Sequence, residues 1–339
     1  MRPIFDSKAL LAGALTSFLL ILTIYYGSHQ MRDFDHALKW YTVASVLAAF
    51  AVSYRFTVWA QRPPSRMYFK RGLSLLLKHP GIIFSAGSKN FAAQDFIRQR
   101  SSYRWIMHLC LSGGCTLAFA ITFPLSFGWI HFFPADLGET YIVHVFGYAV
   151  RSFSIYSVEA FLMFNVLNIS AVLVLIGISM ATWRRLTNAG LKAVQTFTED
   201  ILPLIIIFAV AATGLMLTAS YKYFGGQGHS FISLVHWVTV VSLLFYIPFG
   251  KLFHIVQRTC SLCVSLYKKE GQQSEQAICQ TCKQPFASQM HVDDLKTVLD
   301  ELGFNYRFQT PQGEVHYQDT CPSCRRKLLV VSQGRTLQR

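Results

Sequence analysis

Charge is scarce in this chain. Asp, Glu, Lys and Arg make up 14% of its 339 residues, where an ordinary soluble domain carries about 25%. Acid is scarcer than base, 17 residues against 31, and 52% of the chain is hydrophobic. This balance excludes an ordinary soluble globule. No internal repeat and no matched pair of broken apolar segments is visible, which argues against a secondary transporter lined by Glu159, Asn165 and Asn168. No nucleophile–base–acid set stands out, which argues against a free-standing hydrolase or transferase. The first apolar run, residues 10–26, lacks a small-residue cleavage site and reads as a retained helix rather than a signal peptide.

What is abundant is apolar sequence in runs long enough to span a bilayer. They fall at about 9–26, 40–60, 105–127, 158–182, 201–221 and 231–256. The segments between them alternate in charge. Residues 61–104 hold nine Lys and Arg against Asp95 alone, and Arg184, Arg185 and Arg258 follow the fourth and sixth runs. Residues 128–157 and the YFGGQGHS turn have few charges. By the positive-inside rule both termini are cytoplasmic, in a prokaryotic inner membrane. The net charge of +14 follows this placement and is no sign of nucleic-acid binding. The aromatic segment 128–157 is expected as a membrane-surface helix.

Histidines give the runs a chemistry. His236 and His254 are eighteen residues apart, which is five helical turns on one face and roughly 27 Å of rise. On a continuous helix one imidazole would sit near each leaflet. A single membrane histidine is often a hydrogen-bonded packing residue or part of a proton path. Here a third, His108, sits just inside the cytoplasmic end of the third run, at the depth of His254. Arg104 and Arg258 lie four residues from His108 and His254, placed for carboxylates at the inner interface. Gly113 and Gly114 leave room for a ring or a neighbouring helix. The set reads as axial ligation of haem b, with His108 and His254 as the main site. His29, His36, His79, His229, His291 and His316 read as loop or surface residues.

The stretch from Trp105 to Arg258 resembles the cytochrome b membrane subunits of respiratory nitrate reductase (the gamma subunit) and heterodisulfide reductase. The resemblance rests on RWIMHLCLSGG and on a histidine followed eighteen residues later by the histidine of PFGKLFH. It implies two stacked haems, a quinol site by the outer one, and cytoplasmic iron–sulfur or molybdenum oxidoreductase subunits as partners. One position departs from the pattern. The family's second histidine on the ligand helix is Ala118 here. Either His236 takes another partner, with His144 preferred over His131, or the outer haem is absent.

Six of the eight cysteines form C-x-x-C pairs. Cys279 with Cys282 and Cys321 with Cys324 make two knuckles that can present four thiolates to one metal. Structural zinc is the plainer reading. Iron is the alternative, weakened because Lys283 and Arg325 stand where rubredoxin knuckles usually have glycine. Cys260 and Cys263 read as helix-end residues, Cys110 and Cys115 as packing.

The expected fold is an all-α bundle of six transmembrane helices with a small cytoplasmic metal-binding α+β ribbon. Two helices and a basic loop occupy 1–104, a four-helix haem-binding core 105–258, a linker 259–276, and the ribbon 277–339. The expected function is electron transfer between the quinone pool and a cytoplasmic redox partner. The alternative is a non-redox membrane scaffold or sensor whose tail docks a partner.

Overall fold

The computed structural model describes residues 6–78, 81, 87–310 and 313–337. His79 lies outside them. The chain forms two compact units, Met1–Thr57 with Lys89–Ile255 and Val58–Ser88 with Val256–Arg339. Among the described residues six helices are long and apolar enough to cross a membrane, the pattern of a multi-pass membrane protein.

In the first unit, α1 (Ser7–Gly27) begins where the Asp6 carboxylate accepts a hydrogen bond from the Ala9 amide at 3.0 Å. The turn after it is unusual. His29, Gln30 and Met31 all have left-handed backbones, with φ of 53°, 57° and 67°. Each costs about 1–2 kcal/mol in a residue with a Cβ. Buried Ser28 holds the turn together: its Oγ accepts from the Met31 amide at 3.1 Å, and its carbonyl accepts from the Asp33 amide at 3.1 Å. Gly128 (φ +70°) passes the same turn so closely that a Cβ would lie 2.9 Å from the Asp33 carbonyl oxygen.

The remaining long helices are α2 (Lys39–Ala60), α5 (Ser102–Ser126), α6 (Val158–Thr187), α8 (Leu202–Tyr223) and α9 (His229–Phe249). Short α3 (Pro63–Lys78), α4 (Asp95–Arg98) and α7 (Ala189–Val194) lie between them. Helices α5 and α6 meet through glycines. A Cβ on Gly114 would lie 2.8 Å from the Ser170 carbonyl, and one on Gly177 would lie 2.8 Å from the Leu111 amide nitrogen. Small residues bring helix backbones together this way when no water is available to drive association. Gly114 therefore serves helix contact, while Gly113 has open space beside it. Val174, Ile178, Ile207, Ala211 and Leu243 form the central buried cluster. Ala44 and Ala48 of α2 pack with Leu244 of α9.

Two expectations are corrected here. Residues 130–154 form a three-stranded antiparallel meander, not a helix: β1 (Ile130–Ala135), β2 (Thr140–Val145) and β3 (Tyr148–Ser154). The segment is dense in β-branched and aromatic residues. Phe146 and Gly147, both at positive φ (51° and 81°), make the tight two-residue hairpin that strand twist favours. His144 is thus a strand residue, opposite His131 in register.

The sixth apolar helix is also not continuous to residue 256. It ends at Phe249. Pro248 lies in its last turn and Gly250 is extended (ψ −167°). A 3-10 turn, Lys251–Phe253, follows, and His254 starts a separate helix, α10 (His254–Thr259). Proline removes one donor and crowds the carbonyl four residues back. The five-turn register between His236 and His254 therefore does not hold. Arg55 of α2 fastens the break. Its guanidinium donates to the Pro248 carbonyl and, at 3.4 Å, to the Gly250 carbonyl, and lies 4.3 Å from the centre of the Phe253 ring.

In the second unit, α3 packs on α11 (Ser261–Gln273), with Tyr68 edge-on to Tyr267 at 5.1 Å. A Cβ on Gly72 would lie 2.2 Å from Cys263 Cβ, so glycine is required there. Arg71 pairs with Asp294 at 3.0 Å and Arg66 with Glu301 at 2.5 Å, both acids on α12 (Gln289–Glu301). Two hairpins flank α12: β4 (Gln276–Ile278) with β5 (Pro285–Ser288), and β6 (Arg307–Thr310) with β7 (Gly313–His316). Residues 311 and 312, between β6 and β7, lie outside the described residues. Helix α13 (Pro322–Leu337) closes the unit.

Candidate cofactor and metal sites

Each of the three helix histidines is held through Nδ1. His108 Nδ1 is 2.8 Å from Gln94 Oε1. The Gln94 amide donates to Ser112 Oγ at 2.6 Å, and that hydroxyl donates to the His108 carbonyl at 2.7 Å. These directions make His108 Nδ1 the donor and leave Nε2 as the basic nitrogen. Gln94 is buried and left-handed (φ 52°), a position that nothing in the sequence marked. His254 Nδ1 lies 2.7 Å from the Lys251 carbonyl oxygen, which fixes the same tautomer. A metal-bound imidazole characteristically donates its other N–H in this way. Leu111, one turn after His108, and Leu252, two residues before His254, pack against the same central cluster.

His236 is different. Thr213 donates its hydroxyl to the Ala209 carbonyl at 2.6 Å and so accepts from His236 Nδ1 at 2.8 Å. The ring lines an apolar cavity of about 180 Å³ whose walls also include Ala118, Tyr41, Ser45, Asn168 and Gly214. Ala118, the position where the resemblance leads one to expect a second ligand, is therefore on the wall of this cavity. His144 is not among the lining residues. The cavity volume is below the roughly 300–1,000 Å³ of typical small-molecule pockets. Arg104 is in the first turn of α5, exposed, and Arg258 belongs to the second unit.

Asn168 and Asn165 form a polar ladder along α6. Thr218 donates to Asn168 Oδ1 at 2.9 Å, and Lys222 Nζ reaches Asn165 Oδ1 at 3.1 Å. Glu159 is paired with Arg151 at 2.7 Å.

The four knuckle cysteines come together. The Sγ atoms of Cys279, Cys282, Cys321 and Cys324 all lie within 4.8 Å of one another, and Cys282 and Cys321 are 3.8 Å apart. Thiolates about 2.3 Å from a tetrahedral zinc stand ~3.8 Å from each other, so the spacing suits that ion. Backbone amides of Cys321 and Cys324 point at Cys279 Sγ (3.2 Å) and Cys321 Sγ (3.5 Å). Burial works to raise the Cys279 thiol, but hydrogen bonds from the backbones of Cys282, Cys321 and Thr281 bring it down to about 6. The hydrogen bond to Cys321, then burial, then its other two neighbours push Cys324 up to about 12. Four adjacent thiols cannot ionise together without a cation among them. Lys283 takes the left-handed position after the first knuckle (φ 58°). Arg325 lies inside α13, because the second knuckle opens a helix.

His131, the less favoured partner for His236, lies in β1. It is well shielded, and it shares its surroundings with Asp33, His29 and His144. Burial lowers its pKa, opposed by Asp33 and reinforced by His144 and His29.

No protein-family model, curated protein or solved structure matches the chain. The resemblance to cytochrome b subunits rests on RWIMHLCLSGG and on the histidine spacing that ends in PFGKLFH.

Proposed function

We propose that the chain is a membrane cytochrome b that passes electrons between a quinone and a cytoplasmic redox partner through one b-type haem. The observation that carries this reading is the shared support of His108 and His254. Both rings keep their proton on Nδ1 against an oxygen acceptor and present Nε2 as the ligand nitrogen. Haem b, when bound, supplies reversible one-electron chemistry. His108 and His254 would hold the group through Nε2, with Gln94 and the Lys251 carbonyl fixing their tautomers. The two imidazole donors are of the chemical type that haem b takes. The His236 position does not fit a second macrocycle, because its cavity is small and Ala118 offers no ligand.

We assign the cavity to the quinone ring. Its walls are apolar with a few polar groups, the usual make-up of a small-molecule site. Thr213 keeps the His236 proton on Nδ1, so Nε2 is the basic nitrogen that takes the proton of a quinol hydroxyl. The Cys279–Cys324 cluster is read as structural zinc that folds the second unit. This cluster also supports the alternative reading, a non-redox scaffold whose metal-stapled unit docks a partner.

The reduced optical spectrum of the purified protein tests the assignment. Haem b bands that vanish in His108→Ala and in His254→Ala are expected. Ala118→Phe, which fills the cavity, is expected to stop quinol-driven haem reduction while dithionite still reduces it. A colourless protein, purified folded with zinc in the cysteine cluster, overturns the redox reading and leaves the scaffold.

A further inference from the structure

We propose that Asp33, His131 and His144, with His29 completing the shell, bind a divalent transition-metal ion at the loop-and-sheet end of the first unit. The site is separate from both the haem-type histidines and the cysteine cluster.

His131 and His144 face each other across β1 and β2 in direct register. Opposed residues in an antiparallel pair hold their Cβ atoms about 4.5–5.5 Å apart, close enough for two side chains to share one ion. The two ring centres here are 5.0 Å apart and tilted by 35°. With metal–nitrogen bonds of about 2.1 Å, two imidazole centres on one tetrahedral ion stand roughly 5 Å apart.

The third group comes from the strained turn. Asp33 Oδ1 is 3.6 Å from His131 Nε2, and Asp33 Oδ2 is 3.8 Å from His29 Nδ1. Both distances are too long for a hydrogen bond. They are close to the ~3.4 Å that separates two ligands about 2.1 Å from one tetrahedral ion. Side-chain exposure is 12% for Asp33 and 15% for His131. Asp33 Oδ2 and both ring nitrogens of His131 are buried and find no hydrogen-bond partner among the described residues. A carboxylate and an imidazole left unsatisfied side by side cost free energy that an ion between them would recover.

The backbone around these groups points the same way. Three consecutive left-handed residues, His29 to Met31, bring His29 and Asp33 onto one side of the turn. Gly128 lets the β1 lead-in pass against it. Strain of this kind persists where surrounding contacts over-determine it, and it concentrates at binding sites. Two imidazoles and a carboxylate suit zinc, copper(II) or iron(II) more than magnesium or calcium. The Phe133 ring, 4.8 Å from His131 and 4.9 Å from His144, walls one side.

The test is metal stoichiometry of the full chain in detergent, stripped with chelator and dialysed against zinc. The wild type is expected to hold two equivalents, His131→Ala/His144→Ala one, and Cys279→Ser/Cys321→Ser one. Asp33→Asn is expected to lose the same equivalent as the histidine double variant, and His29→Ala to bind it roughly 10–100-fold more weakly. With copper(II) on the cysteine variant, electron paramagnetic resonance should show coupling to the imidazole nitrogens, with one coupled nitrogen fewer in the background of His144→Ala. A wild type that takes up one zinc, or a histidine double variant that still takes up two, overturns the proposal. Neither readout depends on haem, so failure of the cytochrome reading leaves this test intact.

Discussion

Arg55→Met is the sharpest perturbation of the break in the sixth apolar helix. The substitution keeps the aliphatic stem and removes the guanidinium. Lost with it are the hydrogen bonds to the Pro248 and Gly250 carbonyls and the contact with the Phe253 ring. A hydrogen bond from a charged donor contributes about 1.5–3 kcal/mol and a cation–π contact about 0.5–2 kcal/mol. Arg55 is only half-buried and one bond is long, so the low end applies, about 2–4 kcal/mol in total. At roughly 2–4 °C per kcal/mol for a unit of this size, the melting temperature should fall by about 5–15 °C. Thermal unfolding in detergent measures it. Amide exchange resolves the location: residues 250–256 should exchange faster, because their carbonyl anchor is gone. Arg55→Lys retains the charge but cannot span both carbonyls, and should fall between. If Arg55→Met melts with the wild type and exchange at 250–256 is unchanged, the clamp is not what holds the break.

Other outcomes follow from the same geometry. Gln94→Leu leaves the His108 ring without its acceptor, and haem affinity should drop roughly 10–100-fold by titration of the stripped protein. Cys282→Ser should cost the second unit its metal; structural zinc supplies apparent binding energies of about 10–16 kcal/mol, so proteolysis should cut freely within 276–324. Gly72→Val forces a methyl into Cys263 and should destabilise that unit by about 1–3 kcal/mol in denaturant titrations. Buried His316, whose Nδ1 caps the Gln318 amide at 3.0 Å, has its pKa lowered chiefly by burial. Its neutral form is the folded one. The stability it contributes is present above its unfolded pKa and is lost as pH falls through its lower folded pKa. His316→Asn, which can still cap, should flatten that acid limb of the unfolding curve.

Much of the frame was legible in the sequence. The six apolar runs appear as helices within a few residues of where hydropathy put them, apart from the break. The two cysteine knuckles announced their cluster by spacing alone. What escaped has physical reasons. The PF of PFGKLFH read as ordinary apolar residues, and the effect of proline near a helix end depends on whether Gly250 and Arg55 complete the break. The meander at 130–154 was hidden by its aromatics, which suit an interfacial helix as well as a strand. Gln94 and Arg55 act through contacts to residues far along the chain, and composition carries no trace of such pairings. Helix α3 looked like part of a basic loop, because Arg66 and Arg71 reveal their purpose only beside Glu301 and Asp294.

The second unit has a consequence for how the chain is threaded. It is one folded body made from two stretches, 58–88 and 256–339, and were the apolar helices to cross a bilayer, both stretches would have to lie on the same side of it. The number of crossings between those stretches must therefore be even. Four of the six apolar helices lie between them, so the count closes. This parity follows from packing rather than from the distribution of Lys and Arg. Deleting any one intervening helix would strand α3 away from α11 and α12, whatever the loops' charge.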